Sequence, residues 1–484
     1  MTNTSIPSSR HASRVKNACR NVSGNGRSHF RVALLGLGTV GQGLCRLLEA
    51  RRADLFMRHG ISFAITHVLV RNRDEPRRTV PSTARLYTSA KAFLNGKFDV
   101  AVECMGGIEP ALTLTTSLLE RGIPVASANK ALLAEHGERL LDLAEKHGTL
   151  LRFEASVAAG IPILGVIERA LQSMTVTRIC AILNGTSNFI LTCMAEEGLS
   201  LEFALERAQK AGFAEADPSL DLNGTDAAQK LTVLARALGA DLKTKEIDIQ
   251  GMDMVDAEDC RQAKAFGFAM KPIAVADLTH SPAKGFVSPA LIRLDHALAG
   301  VNGVANGVQL AGSPMGSLFF SGPGAGALPT AASIVDDLLI LALERRTSQK
   351  NSRRRISPPR IVSRKRTGSA SGKDQANEAP EPVESGPGST KVLETGMAGH
   401  WFLSLRLRSP AGAVEDILDF LAASGVVFRS LQERRKGGKI CLACITTTIL
   451  KTRLFSVLND LKEAEAIESY RAYPVVEPFG KEED

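Results

Sequence analysis

The stretch RVALLGLGTVGQGLCRLLEARRADL, residues 31–55, contains the clearest indication of the fold of the first part of the chain. A short apolar run leads into a glycine turn, and a helical pattern follows the turn. Glycines at this spacing permit a tight strand–helix turn and let a pyrophosphate approach the backbone at the helix N-terminus. The alternative is a tight turn without a ligand. Because strand and helix patterns continue after it, we predict a nucleotide-binding turn formed by Gly36, Gly38, Thr39, Val40 and Gly41.

Strand and helix patterns alternate from residue 30 to residue 153, which predicts a parallel, doubly wound sheet. From residue 154 to residue 316 the pattern changes to longer helices with a few strands. Residues 317–345 then give a returning glycine loop and a helix, which we expect to pack on the first domain. The predicted fold class is therefore α/β, with a nucleotide-binding domain built on a doubly wound sheet.

The last compact segment, residues 400–484, has the element order βαββαβ, which predicts a ferredoxin-like unit. Within it, Cys441 and Cys444 form a CxxC on a predicted strand, where residues three apart point to opposite faces. This geometry disfavours a metal or redox role for the pair. The chain has eight cysteines and no secretory apolar segment before them, so we expect reduced thiols and a cytoplasmic location.

The positive charge of the chain lies in two segments predicted to be disordered. The chain carries +8, of which residues 1–30 hold +5 and residues 345–373 hold +11, so the remainder carries −8. We assign residues 1–29 to a disordered basic tail, with a transit peptide as the alternative, and residues 346–399 to a disordered linker. An acidic folded body argues against a nucleic-acid partner. No apolar run is long enough to cross a membrane.

Residues near the ends of two predicted strands bear on the cofactor. Arg71 and Arg73 follow the second strand, where a positive charge suits the 2′-phosphate of NADP. Asp74 lies close behind them and keeps NAD open. Lys130 follows a later strand, at the sheet edge where ligands of open α/β sheets bind, although a plain surface lysine fits the spacing equally well.

The most acidic stretch is AGFAEADPSLDLNGTDAAQK, residues 211–230. Its four carboxylates can hold a divalent metal or the ammonium group of an amino-acid substrate, and the spacing does not choose between these. The carboxylates and the closing lysine are Glu215, Asp217, Asp221, Asp226 and Lys230. Asp217 has no assigned role beyond a solvated loop.

A helix is predicted to start within this stretch, with Asn223 or Thr225 as its N-cap, and to run to about Leu238. Asp226 and Lys230 then lie one turn apart on the same face. An exposed ion pair is one interpretation. The other is that Lys230, held on a rigid helix, donates a proton.

Glu154 precedes a turn of small residues, FEASVAAGIPIL, whose carbonyls can face a cation. A buried capping carboxylate is the alternative. The sequence leaves both open.

Taken together, these motifs resemble the homoserine dehydrogenase family over about residues 31–345. The motifs occur in family order: GLGTVGQG, ECMGG, SANKALLAEHGERL, FEASVAAGIPI, LNGTSNFIL, AGFAEADPSLDLNGTDAAQKL and GPGAGALPTAAS. The resemblance implies a Rossmann domain, an α+β catalytic and dimerisation domain and a C-terminal ACT domain. It also implies NAD(P)H-dependent reduction of L-aspartate 4-semialdehyde to L-homoserine in threonine, methionine and isoleucine biosynthesis.

The resemblance implies a role for several residues. Lys230 matches the acid–base lysine, and Lys130 matches a second lysine near substrate and nicotinamide. Glu215 and Asp226 match substrate-binding acids, with Asp221 as a neighbour. Cofactor-contacting loops contain Gly106, Gly212 and Gly324. Glu154 and the carbonyls of three residues match a monovalent cation site, usually assigned to sodium: Val157, Ala159 and Ile161.

Two features depart from the family pattern. The linker is longer and more basic than expected. The first strand–helix turn of the ACT segment, residues 408–412, lacks the usual acid. The ACT domain either binds threonine as a feedback effector or serves only in dimerisation. We expect a homodimer or homotetramer. The alternatives are another amino-acid dehydrogenase, such as one acting on aspartate, and a non-catalytic nucleotide sensor. Neither accounts for LNGTSNFIL together with the Glu215–Lys230 pattern.

Overall fold

The structure, a computed structural model, describes residues 28–77, 79–351, 398–408, 413–436 and 439–477. The predicted basic tail before residue 28 and the linker between residues 352 and 397 lie outside the described residues, as do positions 409–412 of the altered turn. The described chain divides into two compact units. The first runs to Gly165 and resumes at Ala325, and the second comprises Val166–Gly324 and the C-terminal segment.

The first unit contains a six-stranded, fully parallel sheet with the strand order β3-β2-β1-β4-β5-β6. Its strands are β1 Ser28–Leu35, β2 Ile61–Leu69, β3 Arg85–Tyr87, β4 Val100–Glu103, β5 Val125–Ser127 and β6 Leu151–Arg152. This is the Rossmann strand order. Strands β1 to β3 are added toward one edge of the sheet and β4 to β6 toward the other, so the order reverses between β1 and β4. The predicted doubly wound sheet is confirmed. The short strand β3 was not predicted.

Helices connect these strands. They are α1 Thr39–His59, α2 Ala90–Leu94, α3 Ala111–Glu120 and α4 Lys130–Lys146, and a 3₁₀ turn at Glu154–Ser156 precedes α5 Ile163–Ala170. Residues 32–35 of β1 and all four residues of β4 are buried, as expected for a sheet covered on both faces.

The long helix α11, Ala327–Asn351, closes the first unit by packing its buried face into the same core as β1, β2 and α1. Gly43 on α1 permits this contact, because a Cβ there would lie 2.5 Å from the Ala327 carbonyl oxygen. The predicted boundaries differ at both ends of this segment. Residues 316–323 form a strand of the second unit instead of a loop, and the helix continues to Asn351, beyond residue 345.

The second unit is built on an eleven-stranded sheet with the main order β12-β11-β7-β9-β10-β17-β13-β15-β14. The strands before the C-terminal segment are β7 Thr175–Ile182, β8 Ile247–Ile249, β9 Phe268–Asp277, β10 Lys284–Arg293, β11 Ala305–Ser313 and β12 Gly316–Pro323. The helices are α6 Gly185–Glu197, α7 Leu201–Lys210, α8 Ser219–Leu222, α9 Thr225–Ala237 and α10 Ala257–Ala265. Helix α6 buries Ile190, Leu191 and Met194 in the core of this unit.

The C-terminal segment has the predicted βαββαβ order. It contains β13 Ala398–Leu407, α12 Ala413–Ala423, β14 Phe428–Lys436, β15 Lys439–Thr446, the short β16 Ile449–Leu450, α13 Lys451–Glu463 and β17 Ile467–Val476. Its sheet order, β17-β13-β15-β14, is antiparallel throughout, as in a ferredoxin-like unit. Its own core surrounds Trp401 and Leu421.

No helix within the described ranges combines the length and the apolarity needed to cross a bilayer.

Candidate functional site

The glycine turn after β1 forms a close-packed backbone ledge. Gly36 has a left-handed φ of 93°, and a Cβ there would lie 2.9 Å from the Cys104 carbonyl oxygen. A Cβ on Gly41 would lie 2.6 Å from the Gly36 carbonyl oxygen. Gly38 differs, since a Cβ there would meet nothing within 4 Å among the described atoms. The turn therefore needs its first and third glycines for its own packing, and the second keeps open the space in front of α1.

The N-terminus of α1 lies at this open space. Gly38 is its N-cap, and no side chain of the described residues caps the helix. The first backbone amides of a helix and its dipole attract anions. Because β1 and β4 flank the point where the strand order reverses, the ledge lies where open α/β sheets bind nucleotides. The arrangement suits a pyrophosphate.

Glu103 at the end of β4 links the loops on this side of the sheet. Its carboxylate is fully buried and accepts hydrogen bonds from Ser127 Oγ at 2.6 Å, from the Met105 amide at 2.9 Å and from Asn129 Nδ2 at 3.3 Å. Burial raises the pKa of Glu103, and these hydrogen bonds oppose the rise. The loop after β4, which contains Gly106, is thereby tied to the start of α4. Glu103 was not among the site residues predicted from the sequence.

Lys130 is the first residue of α4, directly after the N-cap Asn129. Asn129 Oδ1 accepts from the Leu132 amide, and its Nδ2 donates to the Gly107 carbonyl at 2.6 Å. Lys130 is half-buried. A cation at a helix N-terminus is unfavourable next to the positive end of the dipole. A position that costs stability is typical of a residue that serves a ligand.

The loop after β2 presents Arg71 and Arg73 at its surface, as a phosphate-binding role requires. Arg77, which the sequence analysis did not identify, braces this loop. Its guanidinium donates to the Asn72 carbonyl at 2.7 Å and the Glu75 carbonyl at 2.9 Å, and its side chain is 5% exposed.

In the second unit, the predicted ion pair between Asp226 and Lys230 forms on α9. Lys230 Nζ donates to Asp226 Oδ2 at 2.7 Å and to the Leu183 carbonyl oxygen at 2.8 Å. The Asp226 side chain is 5% exposed and the Lys230 side chain 11%, so the interpretation as an exposed surface pair is wrong. An ammonium group carries three N–H donors, and the described bonds use two of them. One donor is left for a ligand oxygen.

Asn184, after β7, bridges two of the predicted acids, one of which is the partner of Lys230. Its Nδ2 donates to Asp221 Oδ1 at 2.7 Å and to Asp226 Oδ2 at 2.8 Å. Its Oδ1 accepts from the Ser187 amide and so caps α6. Asp221, Asp226 and Lys230 therefore form one cluster. The only signal for Asn184 in the sequence is an asparagine just before a predicted helix, which usually marks a simple cap.

The helix start was predicted incorrectly. The N-cap of α9 is Gly224, which has a left-handed φ of 85° and no side-chain cap. Asn223 instead accepts a hydrogen bond from the Thr225 amide. A Cβ on Gly224 would lie 2.9 Å from Ile249 Cγ2, so this position needs glycine both for its conformation and for its packing.

The other residues of the acidic stretch lie nearer the surface. Glu215 is exposed, and among the described residues no hydrogen bond joins its carboxylate to the Lys230 cluster. Asp217 is exposed, and hydrogen bonds from the hydroxyl and from the amide of Ser219, the latter at 3.1 Å, lower the pKa of its carboxyl. Gly212, at the exposed end of α7, has a left-handed φ of 74°.

Glu154 is a buried capping carboxylate, the alternative raised for it from the sequence. Its Oε1 accepts from the Leu164 amide at 3.0 Å and its Oε2 from the Gly165 amide at 2.6 Å, at the start of α5. Burial raises its pKa. The neighbouring carbonyls already accept bonds, that of Ala159 from Ser333 Oγ and that of Ile161 from the Ile163 amide. Val157, Ala159 and Ile161 are all buried around it.

Gly324 is buried against Asn306 in the second unit. A Cβ on Gly324 would lie 2.0 Å from Asn306 Cγ. The side chain of Asn306 is fully buried, and neither of its amide atoms has a hydrogen-bond partner among the described residues. An unsatisfied buried amide is costly, which makes it a fit partner for a polar ligand at this loop.

Cys441 and Cys444 lie on β15, with Cys444 fully buried and Cys441 half-buried. Both are free thiols in the structure. Burial raises the pKa of the Cys444 thiol. Their placement on opposite faces of the strand agrees with the expectation from the sequence.

Comparison with known proteins identifies the family. The family model described as homoserine dehydrogenase, NAD binding domain, matches residues 36–154, and the model described as homoserine dehydrogenase matches residues 162–339. The homoserine dehydrogenase of Lactococcus lactis subsp. lactis (strain IL1403) is 32% identical over 437 residues, which is 89% of this chain and 96% of the relative. That of Bacillus subtilis (strain 168) is 38% identical over 312 residues, covering 64% and 72%.

Solved structures give the same result. A homoserine dehydrogenase from Thiobacillus denitrificans is similar with a TM-score of 0.81 at 28% identity, covering 94% of this chain and 100% of that one. A hyperthermophilic archaeal homoserine dehydrogenase in complex with NADPH has a TM-score of 0.56 at 24% identity, covering 66% and 98%, and supports the fold alone.

Proposed function

This chain belongs to the homoserine dehydrogenase family, NAD(P)-dependent oxidoreductases that act on a CH–OH group, and we propose that Lys230 is its acid–base residue. The proposed reaction reduces L-aspartate 4-semialdehyde to L-homoserine, as part of threonine, methionine and isoleucine biosynthesis. One observation carries the assignment. The ammonium of Lys230 is held by Asp226 and the Leu183 carbonyl on a buried helix face, and its hydrogen bonds to the described residues use two of its three N–H donors.

The proposed chemistry follows from this geometry. A reduced nicotinamide, when bound, would supply the hydride. As the aldehyde oxygen gains negative charge, Lys230 hydrogen-bonds to it, stabilises the charge and then gives it a proton. In the reverse direction the same nitrogen takes the proton of the hydroxyl group. Asp226 and Asn184 fix the position of the ammonium, so little reorganisation is needed during the reaction.

The carboxylates of the acidic stretch are proposed to hold the ammonium group of the substrate. Asp221 lies in the Lys230 cluster through Asn184, and Glu215 lies on the exposed loop before it. Between the two cations left open by the sequence, an ammonium is favoured because a lysine nitrogen already occupies the centre of the cluster. In addition, the described residues contain no group of three or more His, Cys, Asp or Glu suited to a metal ion.

The test is a direct assay. Purified protein is mixed with L-homoserine and NADP at high pH, and the absorbance of the reduced nicotinamide is followed. No change in absorbance with either NADP or NAD would contradict the proposed reaction. Turnover of another amino acid, such as aspartate, in place of homoserine would favour another amino-acid dehydrogenase. Binding of NADP without any turnover would favour the nucleotide sensor.

The role of Lys230 is tested with a matched pair of variants. Lys230→Ala is expected to lower kcat by about 10²-fold or more, because general acid–base catalysis contributes about 10²–10⁴-fold. The control is Lys210→Ala, since Lys210 forms an ion pair with Glu206 at the same i,i+4 spacing but is exposed. Near-normal turnover in Lys230→Ala would remove the role given to Lys230.

We propose that the cofactor is bound by the glycine ledge together with Gly106 and Lys130 of the first unit. For Gly212 and Gly324, in the second unit, a cofactor-contacting role is proposed from the family resemblance alone. The open space at Gly38 and the uncapped helix α1 support the pyrophosphate position, and the unsatisfied amide of Asn306 supports a polar ligand beside Gly324. Exposed Arg71 and Arg73 favour NADP over NAD. A lower KM for NAD than for NADP would contradict that preference.

We also propose a monovalent cation, such as sodium, at Glu154 with the carbonyls of Val157, Ala159 and Ile161. A carboxylate has about four acceptor sites, and the cap of α5 uses two. Sodium chloride should then raise the melting temperature more than choline chloride at equal ionic strength. Equal melting temperatures would argue that Glu154 serves only as a cap.

Regulation and assembly are proposed from the C-terminal segment. Its βαββαβ order and antiparallel sheet support an ACT domain that binds an amino-acid effector, with threonine as the first candidate. An unchanged rate in the presence of threonine would leave an ACT domain that only dimerises. A homodimer or homotetramer is proposed. A cytoplasmic location is proposed because the described cysteines are free thiols.

A further inference from the structure

The C-terminal segment continues the sheet of the catalytic part of the second unit. Strand β17 pairs in parallel with β10, through Leu291 with Val475 and Ile292 with Val476. The core around α6 includes Phe402 and Tyr473 from the C-terminal strands. Since backbone pairing and a shared apolar core join the two parts, a change in β17 reaches the elements packed against it.

A buried carboxylate on α10 anchors this junction. Asp259 is fully buried, and it accepts from both the Nε and the Nη2 of Arg471 and, at 2.7 Å, from the hydroxyl of Tyr473. Burial raises the pKa of Tyr473, and the charge of Asp259 adds to the rise. Tyr473 therefore stays a protonated hydrogen-bond donor at neutral pH.

Tyr473 also reaches the loop before α10, residues 250–256. Its hydroxyl lies 3.1 Å from the Met254 carbonyl, and since a phenol has one proton, Asp259 and Met254 share it. A second bond joins the same loop and strand in the opposite direction, because Gln250 Nε2 donates to the carbonyl of Ala472, the residue next to Tyr473. Strand β17 thus holds this loop at two points.

The loop in turn touches the acidic stretch of the proposed site. The Met252 amide donates to the Leu222 carbonyl at 2.9 Å. A Cβ on Gly251 would lie 3.3 Å from the same carbonyl oxygen, so loop and stretch are in close contact. Leu222 directly follows Asp221, whose carboxylate accepts from Asn184. Two hydrogen-bonded steps therefore separate Tyr473 from a proposed substrate-binding acid.

We propose that Tyr473 is a positioning residue for the reaction, acting through the loop 250–256 on Asp221. The inference rests on the proposed function, since it assumes that Asp221 meets the substrate. The C-terminal segment would then contribute to substrate affinity even when no effector is bound. Tyr473 does not touch the reacting atoms, so its effect falls on substrate binding more than on the chemical step.

The test compares two tyrosines of the same strand in the full-length protein. Tyr473→Phe removes the shared hydroxyl. Tyr470→Phe is the control, because the Tyr470 hydroxyl donates to Asn459 at 2.6 Å, within the C-terminal segment. The expected result is a rise of about two- to tenfold in the KM for homoserine in Tyr473→Phe only, the size of one lost hydrogen bond. The KM for NADP should stay unchanged.

Hydrogen exchange gives a readout that does not depend on activity. In the absence of ligands, the amides of residues 219–226 and 250–256 should exchange faster in Tyr473→Phe than in Tyr470→Phe. If Tyr473→Phe fails to fold, Gln250→Met removes the parallel bond to Ala472 and is measured in the same way.

The outcomes separate the two proposals. A wild-type protein inactive on homoserine overturns the proposed function, whereas the exchange comparison still tests the coupling. Identical KM values and exchange rates in the two variants overturn the inference. A uniform rise in both KM values with a general loss of protection also overturns it, because that pattern reports lost stability alone.

Discussion

Replacing Asp226 by asparagine gives the sharpest test of how the cluster around Lys230 is held. Asparagine has the same shape, and its carbonyl oxygen can take the place of Oδ2, which accepts from both Lys230 and Asn184. The substitution therefore removes a charge and keeps the hydrogen bonds. The buried ammonium of Lys230 is left without the carboxylate that balances it.

The magnitude follows from burial. Removing one partner of a buried ion pair costs about 3–5 kcal/mol. The loss has an upper limit, because the buried lysine can lose its proton instead of staying charged. Taking the proton from an ordinary lysine near neutral pH costs about 4 kcal/mol, from roughly three pKa units at about 1.36 kcal/mol each. Asp226→Asn should therefore lower the free energy of unfolding of the second unit by about 3–4 kcal/mol.

The chain offers its own reporter and control. Trp401 is the only tryptophan, and it is buried in the second unit, so its fluorescence in a urea titration follows the unfolding of that unit. The control is Glu206→Gln, in the exposed pair with Lys210, which should cost only about 0.3–0.5 kcal/mol. A loss in Asp226→Asn no larger than in the control would refute the reasoning. The double variant Asp226→Asn with Lys230→Met should regain part of the loss.

Two further predictions concern the first unit. Gly38→Ala should fold normally but raise the Kd for NADP by tenfold or more, because its Cβ fills only the open space before α1, whereas Gly41→Ala should be unstable because its Cβ meets the Gly36 carbonyl at 2.6 Å. Calorimetric titration measures NADP binding and thermal melts measure the stability of the two variants. Equal NADP binding by Gly38→Ala and the wild type would contradict the proposed pyrophosphate site at the glycine ledge. Burial raises the pKa of Asp337 to about 7, with the charge of Arg152 opposing the rise. The folded state therefore keeps a proton that the unfolded chain has released, and stability falls as pH rises from about 4 to about 7, by up to about 4 kcal/mol. Asp337→Asn should flatten that fall in urea unfolding followed by circular dichroism, and an unchanged slope would rule out Asp337 as its source.

The sequence predicted local features well where neighbouring residues determine them. The glycine turn at residues 36–41, the alternating strands and helices and the βαββαβ order all depend on short-range spacing, and the structure contains each of them. The i,i+4 placement of Asp226 and Lys230 was correct for the same reason. The N-cap at Gly224 was missed because Ile249 packs against it and the sequence pattern contains no trace of that contact.

What the sequence determined by itself is the family, the Rossmann-type first unit and the identity of the charged residues, because periodicity and motif spacing are written along the chain. Only the tertiary structure decided which of those charges meet. Asn184 joins Asp221 to Asp226, Glu103 ties the loop of Gly106 to α4, and Tyr473 reaches a loop more than two hundred residues earlier in the chain. These contacts depend on burial and on the pairing of distant strands, which set the electrostatic environment of each group and which no local pattern encodes.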